Sequence, residues 1–270
     1  MNTNSNTYTV IYSTILVVVV AAVLAFAATS LKEKQEENVK VDTISQILTA
    51  AGLEYTEGNV LQVYKENIKE AILVDFEGNR CEEDLDEQKC EIYTTSQLKE
   101  QTVAENADKS LPVYIFNNGI TVVPCYGAGL WGPIWGYIGI KDDLTITKAC
   151  FGHKGETPGL GAKITDQPED FADHFTNKTI TVEIPVGKNA AEKENGVNAI
   201  SGATITSAAA GVMVNQWLGF YQGYFNVGEQ IEESVEAAEI ADGEEVVEAV
   251  ETAETTDETE TVETAEVSNN

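Results

Sequence analysis

Positive charge is scarce in this chain: 16 Lys and Arg stand against 45 Asp and Glu, and the formal net charge is -29. A nucleic-acid backbone would be repelled instead of exchanging its counterions for basic side chains, so nucleic acid is excluded as a partner. Histidine occurs twice and cysteine four times, at spacings that match no zinc pattern, and no metal site is expected. Cys81 and Cys90 flank a short acidic loop and could close a small disulfide if the domain is exported. Cys125 and Cys150 fall on or beside predicted strands, and we read the cysteines as structural or incidental. Wholesale disorder is excluded too, because 43% of the residues are hydrophobic, with three Trp, ten Tyr and eight Phe. The charge must therefore be unevenly spread.

Each end of the chain lacks something different. Residues 229–270 hold 16 Asp and Glu but no Lys, Arg or aromatic side chain, which leaves 29 acidic against 16 basic residues before them. Such a segment cannot bury enough apolar surface to offset its chain entropy, so it is expected to be disordered; the alternative is an acidic arm for a basic partner. No charged side chain precedes Lys32, and residues 11–31 are apolar except for Tyr12, Ser13, Thr14, Thr29 and Ser30. At roughly 1.5 Å per residue this run reaches about 31 Å, the thickness of a hydrocarbon core. One transmembrane helix is the economical reading. Ala25-Phe26-Ala27 resembles a signal-peptide cleavage site, but a basic n-region is missing and the apolar run is longer than a usual h-region. Lys32 and Lys34, interleaved with Glu33, Glu36 and Glu37, weakly favour a cytoplasmic body.

The expected organisation is a membrane segment over 1–31, one domain over 32–228 and an acidic tail over 229–270. Asp42 or Thr43 can cap a helix carrying Ile44, Ile47, Leu48 and Ala51 at helical spacing. Residues 71–76 read as a strand closed by a turn at Gly78-Asn79, and residues 80–109 as a polar surface excursion. A hairpin over 113–116 and 120–123 turns at Asn117-Asn118-Gly119. Further strands are expected over 134–140, 145–151 and 179–184, then a helix over 208–225, frayed near Gly219 and Gly223. Helices at both ends with strands between predict an α+β fold with a mostly antiparallel sheet.

Three stretches carry the chemistry. Tyr126 to Tyr137 mixes glycine with large aromatics, and Gly152 to Gly161 is again glycine-rich; such backbones turn sharply and let a planar group approach their N–H groups. The bland reading is tight turns with aromatics in the core. Ser201-Gly202-Ala203-Thr204-Ile205-Thr206-Ser207 precedes the last helix, where small residues, hydroxyls and free helix-start N–H groups suit a phosphate. Its bland reading is an ordinary N-cap made by Thr206 or Ser207.

Ser-Gly-Ala-Thr-x-Thr before a terminal helix resembles the flavinylation motif of the C subunit of the sodium-translocating NADH:quinone reductase and of the related Rnf complex G subunit. Gly155-Glu156-Thr157-Pro158-Gly159-Leu160-Gly161 and Gly129-Leu130-Trp131 match two further blocks of that family, and the likeness runs from about Val10 to Tyr224. The resemblance implies FMN held by a phosphoester to Thr204 and installed by a separate flavin transferase. It places Ser201, Gly202, Ala203 and Thr206 around the phosphate, and Trp131, Thr157, Leu160 and Glu156 about the ring. It also implies a single-pass member of an inner-membrane complex with its flavin domain on the periplasmic side, relaying electrons from NADH toward quinone with sodium export. A carrier of this kind needs no proton-abstracting side chain, so His153 is expected to be structural or to contact the ring. The family motif begins with Asp three residues before the serine, where this chain has Asn198. The Rnf G subunit and a non-redox membrane-tethered adaptor are the alternative readings; the Leu-Trp block and the longer body favour the quinone reductase.

Overall fold

The computed structural model describes residues 6–226; the expected acidic tail lies outside the described residues. The first element is a single helix, α1 (Asn6–Ala50), 45 residues long and so about 68 Å from end to end. Its N-terminal part is exposed and apolar, and α1 has the length and composition to cross a membrane. The helix start expected at Asp42 or Thr43 does not exist. Residues 32–41 contain neither Gly nor Pro, so nothing interrupts the span before the amphipathic part, and no break marks the border expected after Leu31. The side chains that define that amphipathic part, Ile44, Ile47 and Leu48, are fully buried. Gly52, at φ 70°, ends the helix: its N–H donates to Thr49 O and that of Leu53 to Leu48 O.

A short helix, α2 (Val60–Asn67), leads directly into β1 (Ile68–Val74). The sheet continues with β2 (Leu111–Phe116), β3 (Thr121–Ala128), β4 (Pro133–Ile140) and β5 (Ile146–His153), all antiparallel neighbours in chain order. Asn118 and Gly119, the latter at φ 80°, turn β2 into β3 as the sequence predicts. The excursion between β1 and β2 holds one helix that the sequence pattern does not reveal, α3 (Thr95–Val103), started by a reciprocal Thr94–Gln97 capping box. Lys109, also in that excursion, is buried beneath it and donates to Gln101 O and Ala104 O.

After β5 come α4 (Lys163–Asp166), single 3-10 turns, and a two-stranded parallel pair, β6 (Val186–Gly187) with β7 (Val197–Asn198). The strand expected over 179–184 is absent: Thr179 makes one bridge to Thr145 through the groups of its neighbours Lys178 and Ile180, and the Asn195 side chain takes both backbone groups of Thr179 itself. A β-rich composition there is satisfied by a side chain instead of a ladder. The described residues end with α5 (Thr204–Phe220) and α6 (Gln222–Phe225), which break at Tyr221 between the two expected frayed glycines.

The core has two sides. Ile44, Ile47, Leu48, Tyr64, Tyr114, Phe116 and Tyr137 form the cluster beneath α1 and α2. On the other side α5 lies on β3, with Met213 against Gly127, the Trp217 indole donating to Tyr126 O at 2.8 Å and the Tyr221 hydroxyl to Pro112 O. Phe151 on β5, Phe171 and Phe175 pack against one another in tilted and edge-to-face arrangements, with ring centroids 5.3 to 5.5 Å apart. All four cysteines are free thiols, so the Cys81–Cys90 bridge is not formed.

Candidate functional site

The three motif stretches meet at one end of the sheet. The first is the tight loop 129–132 between β3 and β4, closed by Gly129 N–H to Gly132 O. The second leaves β5 at His153 and folds back through Gly159, at φ 74°. There the Thr157 carbonyl accepts from the N–H groups of both Leu160 and Ala162. The third is the turn 201–203 and the first turn of α5. A Cβ on Gly155 would lie 3.1 Å from the Trp131 carbonyl, and one on Gly202 would lie 3.1 Å from the Leu160 side chain, so each stretch abuts the next.

The helix start differs from the ordinary cap. Ala203 is the N-cap and offers no side-chain acceptor, so Thr204 is the first helical residue and neither Thr206 nor Ser207 caps α5. Both hydroxyls are spent elsewhere: Ser207 Oγ accepts from Ile200 N–H and donates to Ala203 O, and Thr206 Oγ1 donates to Glu156 Oε2 at 2.8 Å. Thr206 is 1% exposed and faces inward. Thr204 and Ser201 are exposed, so they are the hydroxyls of this stretch that an incoming group can reach. Gly202, at φ 81°, takes a backbone conformation that a side chain would strain.

Beside this helix start lies an apolar shelf. Trp131 is 67% exposed, Ile205 64% and Leu160 44%, and Leu130 and Thr157 are also at the surface. The bland reading of aromatics in the core holds for Tyr137 but not for Trp131. Glu156 is the exception among the expected ring neighbours, since it is buried with its carboxylate turned to Trp131 N–H at 2.9 Å and to Thr206. His153 Nδ1 accepts from Glu156 N–H, a structural use of that ring. Asn198 on β7 accepts Ala191 N–H through its side-chain oxygen at 2.9 Å. A groove of about 740 Å³ lies elsewhere, between α1 and residues 85–97, and takes in none of the motif residues.

An FMN-binding domain model matches residues 129–219, which takes in the loop 129–132 and the other two stretches. The C subunit of the Na+-translocating NADH-quinone reductase of Pasteurella multocida is 32% identical over 219 residues, spanning 73% of this chain and 84% of that protein. This chain belongs to the same family, the reductase's C subunits. The Haemophilus ducreyi member is 29% identical over 233 residues, covering 80% of this chain and 90% of its own length. The solved member from Parabacteroides distasonis superposes with a TM-score of 0.61 at 32% identity, covering 72% of this chain and 96% of that one. Shewanella oneidensis NqrC, at 24% identity and a TM-score of 0.55, shares the fold.

The residues present fit FMN on geometry. An uncapped helix start has N–H groups without intrahelical acceptors, and an exposed threonine stands at its first position, where a phosphate is favoured. The exposed apolar side chains of Trp131, Leu160 and Ile205 lie about it, so an anion-accepting end and an apolar surface are presented side by side. Signals for Trp131 and Thr204 are visible in the sequence. The inward role of Glu156 is not, because a carboxylate buried without a basic partner leaves no trace in spacing.

Proposed function

We propose that this chain is a membrane-anchored electron carrier that holds FMN covalently on Thr204, in a complex carrying electrons from NADH toward quinone with export of sodium. The division of labour is a membrane segment over 1–31 and a flavin domain over 32–228, with the flavin domain on the periplasmic side of an inner membrane. The observation that carries the reading is the exposed Thr204 hydroxyl at an uncapped helix start next to an exposed apolar shelf.

FMN, when bound, supplies one- and two-electron redox chemistry; the protein binds, orients and tunes. Thr204 Oγ1 would hold the FMN phosphate as an ester, its hydroxyl proton being lost and the leaving group of an activated flavin nucleotide displaced when a flavin transferase loads it. The first-turn N–H groups of α5 stabilise the phosphate charge. Trp131 and Leu160 give the ring an apolar surface, while Ser201, Gly202 and Ala203 keep the approach to Thr204 clear of bulk. No side chain has to move a proton for the chain to act as a carrier.

The test is a denaturing gel of the protein co-expressed with the transferase, read by flavin fluorescence, with mass analysis of the peptide containing Thr204. A fluorescent band and a peptide heavier by one esterified FMN are expected. A dark band with an unmodified peptide removes the redox reading and leaves a membrane-tethered adaptor.

A further inference from the structure

Glu156 is 4% exposed, and no ion pair reaches it among the described residues. A carboxylate buried without a cation persists only where hydrogen bonds replace its water. Here the Trp131 N–H supplies one on Oε1 at 2.9 Å and the Thr206 hydroxyl supplies one on Oε2 at 2.8 Å. Hydrogen bonds to an ionised acceptor are the strong kind. Two glycines make room for the group: a Cβ on Gly129 would lie 2.5 Å from Oε1, and one on Gly161 2.4 Å from Oε2. One side chain thus ties the loop 129–132, its own loop and the first turn of α5 together, and these are the three stretches that build the shelf.

We propose that Glu156 is the positioning residue of this site, locking the Trp131 loop to the start of α5 and holding the Thr206 hydroxyl inward so that Thr204 alone of the two helix-start threonines faces the incoming flavin. This rests on the flavin reading given above. A carboxylate suits the task because both of its oxygens accept and both neighbours donate. Glutamine can keep the Trp131 bond through its carbonyl oxygen and donate its amide N–H to Thr206 Oγ1 in a reversed bond, so it preserves the geometry without the charge. Alanine preserves neither.

The experiment uses the full chain in detergent, made without the transferase, as wild type, Glu156→Ala, Glu156→Gln and Thr206→Val. Amide hydrogen exchange is followed at Trp131. Loss of a strong hydrogen bond should speed that exchange by about tenfold or more in Glu156→Ala. Glu156→Gln should stay within about threefold of wild type, rescue that a mere need for bulk would not require. Should Glu156→Ala fail to fold, Thr206→Val reads the same link from its other end, because it strips Oε2 of its donor and is expected to speed exchange at Trp131 as well. Unchanged Trp131 exchange in every variant that folds overturns the proposal. The same variants, co-expressed with the transferase, should show flavin on the Thr204 peptide falling several-fold in Glu156→Ala and returning in Glu156→Gln; equal labelling throughout also overturns it. An unlabelled wild type would instead sink the flavin reading, and the exchange result would stand apart from it.

Discussion

The Trp135 indole Nε1 donates to Gln46 Oε1 at 2.9 Å, joining the helix that carries the apolar span to the strand that leaves the Trp131 loop. The indole also lies over Gly152 on β5, where a Cβ would meet its ring at 2.4 Å. Gln46 sits between the buried Ile44 and Ile47, so the packed end of α1 is tied to the strand that follows the site loop. Trp135→Phe keeps a ring there and loses the hydrogen bond, which should cost about 1 kcal/mol. Gly152→Ala drives a methyl into that ring and should cost more, about 1–3 kcal/mol. Urea midpoints of the two variants test this, and the reverse order would show that the hydrogen bond, not the close approach, seats the helix.

Thr204 is exposed and its side chain makes no hydrogen bond among the described residues, so Thr204→Ala should leave stability within about 0.5 kcal/mol of wild type. Covalent flavin fluorescence should vanish in the same variant, while Thr204→Ser, which keeps a hydroxyl, should retain it. Labelling that survives in Thr204→Ala would move the attachment to Ser201, the other exposed hydroxyl of the turn, since Thr206 and Ser207 are buried and engaged.

Much of this architecture is legible in the residues. The hairpin at Asn117-Asn118-Gly119 needs positive φ and has the residues that tolerate it, so local chemistry sets its register. The ends of α5 lie a few positions from those expected, because an alanine N-cap carries no side-chain signal. The continuity of α1 is hidden for a different reason: Asp42 and Thr43 are good caps wherever a helix starts, yet a helix already running has no cause to stop at them. At the site, exposure of Trp131 and burial of Glu156 invert what composition suggests. The burial of Glu156 goes with contacts across 25 and 50 residues of chain, which no local pattern encodes.

Asn198 stands where the family motif carries Asp, yet its local task is to accept Ala191 N–H, which a carboxylate oxygen performs as well. Asn198→Asp should therefore fold with unchanged secondary structure and thermal midpoint. If the transferase reads the charge, initial flavin labelling of this variant should rise several-fold over wild type in a timed reaction with purified transferase. Equal rates would mean that the acceptor oxygen, present in both, is what the transferase uses.

The thiols offer a test of the sheet itself. Burial pushes Cys150 up to about 11, with the Asp42 carboxylate adding to it and Lys148 opposing, and burial raises the fully enclosed Cys125 further still. In the unfolded chain both titrate at about 8.5. Each folded value lies above its unfolded value, so the stabilisation is complete below about pH 8.5 and is lost as pH climbs through 9 toward 11 and beyond. Burial likewise raises Tyr114, Tyr137 and Tyr221, which steepens the loss above about pH 10. Denaturation in urea at pH 7, 9 and 10.5 should show the unfolding free energy falling along that series. A thiol reagent at pH 8 should modify the partly exposed Cys81 first and leave Cys125 untouched until the protein unfolds, when all four react. Rapid reaction at Cys125 in the native protein would mean that β3 is not shielded on both faces, and only two reactive thiols in denaturant would mean that Cys81 and Cys90 had paired after export.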